Sequence, residues 1–155
     1  MHTFYQDYLQ RLTDLHQGIL NAIEGLSPEA LDWIPIQETN GEMNSINVLV
    51  THLCGAERYW IGDVACGDPS GRVRDEEFQV SKLDVDTLVQ KIYTATAYAQ
   101  SALEKLNIED LTKEGTSPRD ERNFTVGWAL LHGLEHTAIH LGHIQITRQM
   151  WDEQN

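Results

Sequence analysis

The stretch Thr125-Val-Gly-Trp-Ala-Leu-Leu-His132-Gly-Leu-Glu-His136-Thr-Ala-Ile-His140-Leu-Gly-His143-Ile144 decides how this chain is read. At about 100° per residue, His132, His136, His140 and His143 fall at about 0°, 40°, 80° and 20°, so all four share one stripe of a helix. Leu130, Leu134, Leu141 and Ile144 fall at about 160°, 200°, 180° and 120°, which sets an apolar face beside that stripe. With Thr125 as its cap, the spacing predicts a helix over 126–151.

Three segments upstream carry the same helical period. Over 2–25, Tyr5, Leu12, Ile19 and Leu26 recur by sevens with Tyr8, Leu15 and Ala22 between them, while Asp7, Arg11, Asp14 and Asn21 line the other face. Ser27-Pro28 stops this helix or starts a short turn. Ser45 caps a second helix over 46–64, which ends before Gly67-Asp68-Pro69-Ser70-Gly71. A third, over 85–106, repeats the first pattern in Val85, Ile92, Ala99 and Leu106, with Leu88, Ala95 and Ala102 between. No segment shows the sustained two-residue alternation of a strand. An all-α four-helix bundle is therefore the economical architecture. The connections between helices 2 and 3 and between helices 3 and 4, about 20 and about 18 residues, can each span the bundle's length at roughly 3.3 Å per residue, so a simple up-down order is not forced.

The composition agrees with one soluble domain over 1–155: 41% hydrophobic and 23% charged residues, 11 Gly and 4 Pro. A domain of this length hides roughly 70% of its unfolded surface, so it needs neither disulfide nor structural metal, and a metal site here would serve function. Eleven Lys and Arg against 24 Asp and Glu leave a net charge of −13. That disfavours nucleic acid and anionic membrane surfaces as partners; the longest basic cluster, Arg72-Val73-Arg74, runs straight into Asp75, Glu76 and Glu77. The N-terminal MHTFYQDYLQR lacks the features of a signal peptide and no apolar run approaches the roughly 20 residues that span a bilayer, so a cytoplasmic location is expected. Cys54 and Cys66 form no Cys-x-x-Cys pair and are read as reduced thiols.

Four of the seven histidines crowd onto one stripe. Desolvating several imidazoles without a common partner is costly, and their charges repel on protonation. Two imidazoles one helical turn apart can instead chelate one ion, with a third ligand arriving from another helix. The candidates are His2 at the terminus, His16 flanking the apolar face of the first helix, and His52, on the bundle-facing side with Ser45, Val48, Ala56 and Tyr59. Spacing favours His52. Cys54 sits about 200° round the helix from His52 and cannot join it. Glu135 precedes His136 rather than following it, so the general base of a zinc peptidase is missing. No Glu-x-x-His pair exists for a di-iron centre. There is also no Gly-rich phosphate loop, serine nucleophile elbow or Cys paired with a neighbouring His.

Taken together, Ser45-Ile46…His52-Leu53…Glu57-Arg58-Tyr59-Trp60, Arg74-Asp75…Phe78 and Trp128…Leu131-His132…Glu135-His136…His140-Leu141-Gly142-His143 resemble the DinB/YfiT-like superfamily over essentially the whole chain. The resemblance implies a four-helix bundle with a long crossover between the second and third helices, often dimeric, in which His52, His136 and His140 hold one divalent ion, zinc before nickel. It also implies thiol chemistry, since the superfamily includes bacillithiol and glutathione S-transferases and a mycothiol-dependent maleylpyruvate isomerase. The chain departs from the commoner His-Arg-Gly-Gln ending at Leu141 and His143. His143 is then a neighbour of the ion or a fourth ligand that would close the site, and His132 and Tyr59 are further candidates to border ion or substrate. The expected function is a metal-dependent transfer of a low-molecular-weight thiol to a small electrophile, by a homodimer. The alternatives are a bundle that binds a metal or small ligand without turnover, and a structural protein whose histidines merely pack.

Overall fold

The computed structural model describes residues 1–36 and 43–154, and the heptad-spaced positions close into helices. In α1 (Thr3–Ile23) the inward residues Tyr5, Tyr8, Leu12, His16, Ile19 and Ile23 are buried, and the His2 ring caps the N-terminus by accepting from the Phe4 amide. Ser27 and Pro28 start a short α2 (Pro28–Asp32). The Ser45 hydroxyl caps α3 (Ile46–Glu57), which continues without a break as a π-helix over Arg58–Cys66 and stops at Gly67 in the left-handed conformation. Asp84 caps α4 (Val85–Leu103), and Thr125 caps α5 (Val126–Gln154) through the Trp128 amide.

The architecture is the all-α, DinB/YfiT-like bundle. Both α4 and α5 pack against α1 and α3, so α1 faces α3 across one diagonal and α4 faces α5 across the other. The crossover from α3 to α4 carries a 3-10 turn at Arg74–Phe78 that docks on α3. Two details lie outside the heptad reading. The third long helix ends at Leu103 rather than 106, and the segment before α5 contains a two-stranded antiparallel ladder, β1 (Glu114–Thr116) with β2 (Asn123–Thr125), Gly115 opposite Phe124. Strands of three residues are too short to show an alternation. Among the described residues no helix is long and apolar enough to cross a membrane.

The core has two apolar halves. Tyr5, Leu12, Trp60, Leu103 and Leu130 belong to one; Ile19, Leu31, Leu53, Ile92 and Ile144 belong to the other. Where one gives way to the other, each long helix contributes a polar residue: His16 from α1, Glu57 from α3, Thr96 from α4 and Thr137 from α5. Thr96 donates its hydroxyl to the Ile92 carbonyl at 2.9 Å and so accepts from His16 Nδ1 at 2.7 Å. His16 Nε2 meets both Glu57 oxygens at 2.9 and 3.0 Å, and Thr137 donates to Glu57 Oε1 at 2.7 Å. His16 and Glu57 are each 2% exposed, a burial tolerable only because their polar atoms are paired.

Candidate metal centre

His136 and His140 stand one turn apart on α5, and α3 brings His52 across to them. His52 Nε2 lies 3.1 Å from His136 Nε2, and His140 Nε2 lies 3.2 Å from that same atom. The three residues form a group that could hold a metal ion. The spacings are close to the ligand–ligand edge of a tetrahedral site with metal–nitrogen bonds of about 2.0–2.1 Å.

Protonation favours the same reading. His52 Nδ1 is 2.8 Å from Glu77 Oε2, and a carboxylate oxygen only accepts, so Nδ1 carries the proton and the Nε2 lone pair faces the other two rings. Burial, reinforced by His140 and His52, pushes the His136 pKa down from 6.5 to about 3; burial, with His52 and His143, pushes His140 to about 4. Both rings are neutral at pH 7. Neutral nitrogens that converge as acceptors need a proton or a cation among them, and the residues present therefore fit a divalent ion. Among the described residues the buried His136 Nδ1 has no hydrogen-bond partner.

Behind His52 stands a clamp. Arg72 donates Nε to Glu77 Oε1 at 2.5 Å and Nη2 to Oε2 at 2.7 Å, a two-pronged pair with both side chains largely buried. Burial alone would raise the Glu77 pKa; the hydrogen bonds from Arg72 and His52 outweigh it and hold it low. The carboxylate reaches this position because Gly55, one turn after His52, has no side chain: a Cβ there would collide with Glu77 Oε1. Phe78, the next residue of the same turn, packs its ring 4.9 Å from that of His52.

A family model for mycothiol-S-transferase matches residues 7–153. The chain belongs to the mycothiol-S-transferase family. That family is DinB/YfiT-like, in agreement with the motif resemblance. The crystal structure of a conserved protein from Enterococcus faecalis superposes with a TM-score of 0.71 over 94% of this chain and 95% of that one, at 14% identity, which speaks for the fold alone. No curated protein matches the chain.

Within this mycothiol-S-transferase family chain the other expected site residues separate. His143 is exposed, and its Nδ1 approaches His140 Nδ1 at 3.4 Å, the ring nitrogen opposite the one that faces the cluster. His132 stacks on Trp128 at 4.8 Å and meets the edge of Trp60 at 4.7 Å, with its ring 6.3 Å from that of His136. Tyr59 is buried, and its hydroxyl bonds Ser117 Oγ at 2.5 Å rather than a histidine. His2 and His16 serve as cap and core residue. Glu77, Arg72 and Phe78 are the neighbours of the cluster that the helical wheel does not find. The linear signal for Phe78 is the Arg74-Asp75…Phe78 stretch of the family resemblance; Arg72 and Glu77 have none.

Proposed function

We propose that this chain is a metal-dependent S-transferase that moves the sulfur of a low-molecular-weight thiol onto a small electrophile, with one zinc ion held by His52, His136 and His140. The reading is carried by the convergence of three imidazole nitrogens, one of them pinned by Glu77, in a chain of a thiol-transferase family. A zinc ion bound there supplies a lowered pKa for a coordinating thiol, and hence a thiolate at neutral pH. The chain's residues do the rest. Glu77 accepts from His52 Nδ1 and so keeps Nε2 turned to the site, while Arg72 holds both Glu77 oxygens and stops the carboxylate from swinging away. Trp60, Trp128 and His132 build an aromatic wall beside His136 against which an apolar electrophile rests. In the transfer a carbon–sulfur bond forms, the bond from that carbon to its leaving group breaks, and the thiol proton departs with the leaving group.

The sulfur must come from a substrate. Cys54 and Cys66 are free, but burial pushes both thiols up, and Cys54 stands outside the histidine cluster. Chemistry that consumes reduced thiols belongs in the cytoplasm. The exposed Leu131, Ile139 and Ile146 of α5 are the surface on which the expected homodimer would close, which sedimentation tests.

Protein purified without chelator or histidine tag is expected to carry about one metal ion per chain. His136→Ala should lose it. The metal-loaded protein should consume mycothiol, bacillithiol or glutathione in the presence of a haloarene or an epoxide. Metal content unchanged in His136→Ala overturns the site; a metal-loaded protein that consumes none of the three thiols is a binding bundle and not an enzyme.

A further inference from the structure

Positive charge is scarce in this chain, yet three of its eleven Lys and Arg residues line one cleft. Arg72, Arg74 and Arg119 enclose about 600 Å³ together with Tyr59, Val73 and Pro118, between the α3–α4 crossover and the turn that links β1 to β2. Arg72 is committed to Glu77. Asp63, a carboxylate of the same wall, is committed as well: it accepts from Arg58 Nη1 at 3.1 Å, from the Ser70 amide at 3.0 Å and from Ser70 Oγ at 2.9 Å.

Arg74 and Arg119 keep their charge available. The carboxylate paired with Arg74 is Asp75 at 4.0 Å, which also lines the cleft and has a side chain 96% exposed. For Arg119 it is Asp120 at 3.6 Å, already taken by Arg122 through contacts of 2.7 and 2.8 Å and by the Ser117 hydroxyl at 2.6 Å. The cleft lies behind His52, on the side of its Nδ1 and away from the Nε2 that faces His136. Arg74 lies over the Phe78 ring at 4.6 Å, Phe78 packs on His52, and Arg72 Nη2 stands 3.4 Å from His52 Nδ1.

We propose that this cleft is a binding site for the anionic group, a carboxylate or a phosphate, of a small molecule. Two guanidinium forks without strong carboxylate partners match the planar, two-pronged acceptors of either anion. Tyr59, Val73 and Pro118 add apolar surface to the lining. With a net charge of −13 the remaining surface repels anions, so the cleft selects them locally.

The test is an amide and arginine side-chain NMR titration of the full chain, metal-loaded and chelator-treated, with inorganic phosphate and separately with acetate. Saturable shifts are expected at Arg74 and Arg119 in both forms, and Arg74→Gln/Arg119→Gln should bind the anion about a hundredfold more weakly, the loss of two charge-assisted contacts at about tenfold each. Saturation by phosphate alone or by acetate alone assigns the anion class, and either supports the site. Absence of saturable shifts, or shifts unchanged in the double variant, overturns it. His136→Ala should leave anion binding intact. Loss of the metal reading and loss of the anion site are thereby told apart.

Discussion

Two histidine-containing groups meet near the middle of the bundle, one built on a single histidine and one on three, and their hydrogen bonding differs. His16 is the more deeply buried, at 2% exposure, and both of its ring nitrogens are occupied, one by Thr96 and one by Glu57. His136 is half-buried; its Nδ1 finds no partner among the described residues, and its Nε2 faces two other imidazoles. Depth therefore does not separate a packing histidine from a candidate ligand. The count of unfilled donors and acceptors does, because a completed network stabilises the apo fold whereas converging lone pairs await a cation.

The sharpest way to break this comparison is to remove the carboxylate that completes the first group. Glu57→Ala leaves His16 Nε2 and the Thr137 hydroxyl buried without their acceptor, and we expect a loss of about 3–5 kcal/mol in urea unfolding. The folded fraction should keep its metal. A loss below about 1 kcal/mol would mean that the four-helix polar layer does not hold the bundle together. The second group should respond in the opposite currency. Glu77→Gln weakens the hold on His52 and is expected to lower metal affinity by about 10–100-fold in competition with a chelator. An unchanged affinity would detach Glu77 from the site.

The smallest effect at neutral pH, and the most diagnostic below it, is a slope. In the folded metal-free protein His136 and His140 titrate near 3 and 4, against 6.5 when unperturbed. The unfolded chain therefore binds protons first as pH falls, so their contribution is complete above about pH 6.5 and is lost progressively toward about pH 4 to 3. Thermal unfolding of chelator-treated protein across that window should show the decline, and a His136→Ala/His140→Ala variant should flatten it. Equal slopes in the two proteins would refute the shifted histidines.

Much of this was legible in the sequence, for a physical reason. Heptad spacing and the caps Ser45 and Thr125 are local signals, and they place the four long helices within a few residues of their observed ends. His136 and His140 share a face in any straight helix, so their pairing needed no tertiary knowledge, and His52 followed from the face its helix buries. Tyr59 lies where the 100° step ceases to hold, because α3 widens into the π-helix at Arg58, and its hydroxyl bonds Ser117. Glu77 was illegible because a loop residue's position depends on how the crossover docks. The role of His16 required partners from three other helices, none within its own segment.

Gly55 extends this beyond one chain. A glycine inside α3 gives up about 1 kcal/mol of helix propensity, and here the return is a groove in the helix surface that admits a carboxylate from a distant loop. The tripartite pattern of histidine, glycine three positions on and an arginine–glutamate pair in the crossover is thus a readable signature. In a family alignment, the glycine and the loop glutamate should rise and fall together: a relative that fills the groove with a methyl group must orient its counterpart of His52 by other means.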